Sequence, residues 1–77
     1  MATTISFRAS SDYDLNRFRL GSLITDCAPA SRVLVRLLRY DETLADERTW
    51  TIGGELPKLI DEMAEFIRGD WSVSVIF

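Results

Sequence analysis

At 77 residues, with 47% apolar and 27% charged side chains, the chain has the composition of one soluble globular domain and is too short for two. It contains no histidine, which removes the commonest general base near neutral pH and the commonest metal ligand, and its single cysteine, Cys27, excludes an internal disulfide. The formal net charge of −3 conceals an asymmetry: residues 1–40 carry six arginines against three aspartates, and residues 41–77 carry nine acids against three bases.

No apolar run approaches the ~20 residues of a membrane-spanning helix, so no membrane partner is expected. The opening Met-Ala-Thr-Thr-Ile-Ser-Phe lacks the basic stretch and apolar core of a secretory signal, and a cytoplasmic location is expected.

Thr3 to Ala9 alternates Ile5, Phe7 and Ala9 with Thr4, Ser6 and Arg8, the pattern of a half-buried strand. Ser10-Ser11-Asp12 marks a helix start, with Asp14 three residues after Ser11 in a capping-box relation. The helix is expected to run to about Cys27, with Leu20, Leu23, Ile24 and Cys27 on one side. Leu15 and Phe18 fall on the other side and Gly21 interrupts the pattern, so an extended piece over Arg17–Leu20 is the alternative. Pro29 ends the segment.

Ser31 to Tyr40 suits either a strand or a helix. A helix would set Arg32 at its positive end and Asp46 and Glu47 at its negative end, against the macrodipole, and Arg48–Ile52 alternates nearby as a partner strand. A hairpin with the seven-residue loop Asp41–Glu47 is therefore expected.

Gly54 to Gly69 carries the strongest pattern. Leu56, Leu59, Ile60, Met63, Phe66 and Ile67 recur on one helical face, Pro57 stands in the first turn and Gly69 at the stop position. Trp71 to Phe77 then alternates as a last strand.

The succession is βαββαβ, that of a ferredoxin-like α+β fold: one domain over residues 1–77, with two helices on one face of a four-stranded antiparallel sheet. The covered face is expected to take Ile5, Phe7, Val33, Val35, Leu37, Trp50, Ile52, Trp71, Val73 and Val75.

Catalysis finds no motif. Cys27 has no histidine to activate it and cannot build a zinc site alone. The Asp12/Asp14 pair is accounted for by helix capping, and the Asp41–Glu47 loop lacks calcium-loop spacing. Gly53-Gly54 is followed by Glu55 and Pro57, a poor phosphate cradle. No enzyme activity, metal or cofactor is expected.

Two surfaces remain. The outer stripe of the second helix carries Asp61, Glu62 and Glu65, extended by Glu55 and Asp70; it is either a solvated face or a surface for a basic partner. The sheet face turned from the helices carries Arg8, Arg32, Leu34, Arg36, Leu38 and Tyr40, with Ile76 nearby. Its single aromatic is too few for an RNA-stacking sheet, so direct nucleic-acid binding is not expected. Its leucines, if contiguous, would suit a second copy or another protein.

The functional expectation is a small acidic, non-catalytic protein-binding module. It would be an inhibitor of the anti-defence (anti-CRISPR) or immunity type, carried by a phage or a toxin system, that occupies a basic or nucleic-acid-binding surface of its partner. This rests on analogy of fold and size. The alternative is a homo-oligomeric module pairing through the open sheet face.

Overall fold

A computed structural model of the chain describes residues 3–77. The elements run β1 (Thr4–Arg8), α1 (Tyr13–Ile24), β2 (Arg32–Leu38), β3 (Leu44–Thr51), α2 (Leu56–Phe66) and β4 (Ser72–Ile76), the βαββαβ order of a ferredoxin-like α+β fold. The single antiparallel sheet has the order β1-β4-β2-β3. Each β-α-β unit is therefore split: β4 lies between β1 and β2, and β2 lies between β3 and β4.

The core sits between the sheet and the two helices. Val33, Val35 and Leu37 of β2 meet Val73 and Val75 of β4, and Leu20, Ile24, Ile60, Met63, Ala64 and Ile67 close over them. The central strands thus supply the deepest sheet residues. Ile5 and Phe7 are only half-buried because β1 is an edge strand, and Trp71 is half-buried just ahead of β4.

α2 begins at Leu56 with Pro57 in its first turn, and Gly69 after it takes φ 136°, a conformation that favours glycine. α1 is continuous through Arg17–Leu20, so the extended alternative is not adopted. Its N-cap is Asp12 rather than Ser11: the Asp12 side chain accepts from the backbone N–H groups of Asp14 and Leu15, while Ser10 Oγ accepts from the N–H of Asp12. Leu20 and Ile24 are buried, and Leu15 and Phe18 are exposed, Phe18 at 72%.

α1 also buries a residue that its apolar count omits. Asn16 is fully enclosed; its Oδ1 accepts from the Ser10 N–H at 2.9 Å and its Nδ2 donates to the Ser10 carbonyl at 2.7 Å. One side chain thereby pairs both backbone groups of Ser10, in the turn between β1 and α1, which partial burial would otherwise leave unsatisfied. The helical spacing held the signal, because Asn16 precedes Leu20 by four residues in the same stripe.

The hairpin differs from its sequence reading. β3 starts at Leu44, not Arg48, so the turn is Arg39–Thr43 and the charged segment Asp46-Glu47-Arg48 is strand. An edge strand with one solvated face accommodates those charges, and Glu47 stands opposite Arg36. The register shifts between Leu37, which faces Asp46, and Leu38, which faces Leu44; Ala45 is the extra residue of a β-bulge.

Candidate functional site

The open sheet face can be read as rows across the strands. Thr4, Ile76, Leu34 and Thr49 form one row, Ser6, Ser74, Arg36 and Glu47 the next, and Arg8, Ser72, Leu38 and Leu44 the third. Leu34 lies directly beside Ile76, and Leu38 beside Leu44, which is 47% exposed. The apolar surface is thus in two halves, divided by a polar row in which Arg36 Nε donates to Glu47 Oε2 at 3.1 Å and the Ser6 and Ser74 hydroxyls meet at 3.3 Å. Leu44 lies within the expected Asp41–Glu47 loop, and only the longer β3 brings it onto this face. Arg32 is exposed opposite Thr51 at one end of the face.

Tyr40 follows β2 rather than belonging to it, and it is 80% exposed. The Arg8 guanidinium lies over its ring, Arg8 Nη2 donates to Asp70 Oδ1 at 2.6 Å, and Tyr40 Oη donates to Asp70 Oδ2 at 3.1 Å. Hydrogen bonds from Arg8 and then Tyr40 hold the Asp70 carboxyl below its ordinary range. Asp70 therefore joins the arginine-bearing sheet end and leaves the acidic helix stripe.

Asp61 is diverted too. Its Oδ1 accepts from Arg17 Nε at 2.5 Å and from Tyr13 Oη at 3.0 Å, so it ties α2 to α1, and the Arg17 bond followed by the Tyr13 bond lowers its pKa. Glu65 stands 3.6 Å from Arg68. Glu62 and Glu55 are exposed and have no ion pair among the described residues; Glu55 is the N-cap of α2 but makes no capping bond with its side chain. Beside them Arg48 projects on the helix side of β3, its guanidinium 4.8 Å from the Trp50 ring centroid, and shares a shallow hollow with Glu62, Glu65 and Phe66. The acidic stripe is thus three glutamates bordered by three cations, Arg48, Lys58 and Arg68.

Cys27 is half-buried, and its Sγ lies 3.5 Å from the Leu23 carbonyl. Burial, followed by the Asp26 charge, raises its pKa, which keeps the thiol protonated at neutral pH and weak as a nucleophile. Among the described residues no three histidine, cysteine or acidic side chains gather as metal ligands, and no helix is long and apolar enough to cross a membrane.

A family model described as the C-terminal PH domain of STK11-interacting protein matches residues 20–75, from the second half of α1 to β4. Among curated proteins and among solved structures, none matches the chain.

Proposed function

This chain belongs to the family of the STK11-interacting protein C-terminal PH domain, and on that premise we propose that it is a small protein-binding module without a catalytic role. The family's description comes from a protein defined by an interaction with another protein. The observation that carries the reading here is the open sheet face, where Leu34 and Ile76 stand side by side and Leu38 beside Leu44, flanked by Arg8, Arg32 and Tyr40. Arginine and tyrosine are among the residues enriched at interface cores, and exposed aliphatics beside them supply apolar area to bury.

The finer form of the proposal is an inhibitor, of the anti-defence or immunity type, whose glutamate stripe occupies a basic or nucleic-acid-binding surface. Glu55 and Glu62 support it, since they are exposed and outside the ion pairs that tie down Asp61 and Asp70. Reversing Glu55, Glu62 and Glu65 together to lysine tests it without disturbing the helix–helix clamp. Slower association with a captured partner is expected, with the fold retained; unchanged association kinetics would remove the stripe from the mechanism.

A second reading is self-association through the open face, favoured by the direct contact row of Leu34 and Ile76. Leu34→Arg should convert a dimer to a monomer in sedimentation. A parent chain already monomeric at high concentration would dispose of this reading.

A further inference from the structure

β1 is the edge of the sheet, and its register shows which backbone groups are free. The Phe77 N–H donates to the Thr3 carbonyl and the Ala9 N–H to the Trp71 carbonyl, so Thr3, Ile5, Phe7 and Ala9 direct their backbone groups toward β4. By the alternation of an antiparallel ladder, Thr4, Ser6 and Arg8 direct theirs outward. The Arg8 carbonyl is already taken, by Arg19 Nη1 at 2.8 Å. Among the described residues the N–H and C=O groups of Thr4 and Ser6 and the N–H of Arg8 remain without a partner, on an edge with no proline, lysine or bulge to blunt it.

The opposite edge is obstructed over its first half. On β3 the Ala45 bulge interrupts the ladder, and Asp46 Oδ1 accepts the Glu47 N–H at 2.8 Å. Past Glu47 the β3 edge also turns the backbone groups of Thr49 and Thr51 outward, so what sets the β1 edge apart is the groove beside it.

Beside the open edge runs a largely apolar groove of about 460 Å³, lined by Thr3 and Ile5 of the edge segment, Leu23 and Cys27 of α1 and its end, and Phe77. Asp26 stands on its rim, and Arg19 stands at the other end of β1.

We propose that the β1 edge is a docking site for an extended peptide segment of a partner protein, which adds as a fifth strand along Thr4–Ser6 and places an apolar side chain in the Ile5–Leu23–Cys27–Phe77 groove. The occupant has alternating apolar residues, an acidic residue on the side that reaches Arg19 and a basic one on the side that reaches Asp26. Backbone pairing supplies affinity, and the groove and the two charges supply selectivity. A second copy of β1 is a poorer occupant: two-fold pairing about Ser6 would set Thr4 against Arg8 and require the carbonyl that Arg19 holds. The proposal rests on the reading of the chain as a protein-binding module but uses a different surface.

The test uses a phage-displayed library of random linear peptides selected on the whole chain, followed by amide exchange with a synthetic selected peptide. Slowed exchange at Thr4 and Ser6, with Thr49 and Thr51 unchanged, is the expected result. Ser6→Pro removes one outward N–H without touching the β4 ladder and should weaken binding roughly tenfold or more. A chemically synthesised chain carrying N-methylated Ser6 repeats that test if the proline variant fails to fold, and Cys27→Phe should also weaken binding by filling the groove. Selection of no peptide, protection at Thr49 and Thr51 instead, or full binding by the N-methylated chain would overturn the proposal. A partner protein captured through the glutamate stripe or open face, with no protection at Thr4 and Ser6, would overturn it while leaving the broader reading intact.

Discussion

The Arg8 guanidinium lies 4.3 Å from the centroid of the Tyr40 ring, and Asp70 receives a hydrogen bond from each of the two. Three residues far apart in the chain thereby close one end of the open sheet face. Because both partners of the ion pair are well exposed, its contribution to stability is that of a surface pair, and its clearest signature is its dependence on pH.

Asp61 and Asp70 both have carboxyls held below the ordinary range, by Arg17 and by Arg8 respectively. A depressed folded-state pKa stabilises the chain fully above the unfolded value of about 4, and that stability is lost as pH falls through the folded value. The denaturation midpoint should therefore be flat from neutral pH to about 5 and fall below about 4. The double variant Asp61→Asn, Asp70→Asn should show a shallower acid limb; an identical limb would mean that neither pair persists in solution.

Asn16 holds both backbone groups of Ser10. Asn16→Leu keeps the apolar stripe of α1 and leaves those groups unpaired, so urea denaturation should show a loss of about 1–3 kcal/mol. A neutral result would show that water replaces the side chain at no cost.

Two glycines should respond in opposite directions. A Cβ on Gly21 would sit 3.9 Å from Ile60 Cδ1, ordinary contact, so Gly21→Ala should stabilise α1 by about 0.5–1 kcal/mol. A Cβ on Gly69 would lie 2.7 Å from Trp71 Nε1, on a backbone at φ 136°, so Gly69→Ala should destabilise by more than about 1 kcal/mol. Thermal melts of the two variants decide the comparison, and a shift of the same sign in both would contradict it.

Phe66 packs edge-on against Trp50, with ring centroids 5.4 Å apart, yet it remains half-buried. The full cost of removing a buried phenylalanine, about 3–5 kcal/mol, is therefore not expected; Phe66→Ala should cost about 2–3 kcal/mol by chemical denaturation. A loss below about 1 kcal/mol would mean that the ring contributes no packing.

What could be read along the chain is what depends on near neighbours. The apolar spacing from Leu56 to Ile67, Pro57 at the start and Gly69 at the stop define α2 without reference to anything else, and the alternation around Val33, Val35, Val73 and Val75 defines the central strands and their buried side. The βαββαβ order follows. Even the misfit of Leu15 and Phe18 was legible, because helical geometry alone puts them opposite Leu20 and Ile24.

Only the tertiary structure decided which charges are spent and which are free. Asp61 and Asp70 look like members of one acidic stripe, but one is held by Arg17 across the helix pair and the other by Arg8 across the sheet end. The same holds for β3, whose charged half reads as a loop until Arg36 stands opposite Glu47, and for the rows that place Leu34 beside Ile76 while separating them from Leu38. Helix faces and strand alternation are set by the rotation between successive residues, which a sequence carries directly. Ion pairs and surface rows are set by register between distant strands, which the packing of the whole core fixes.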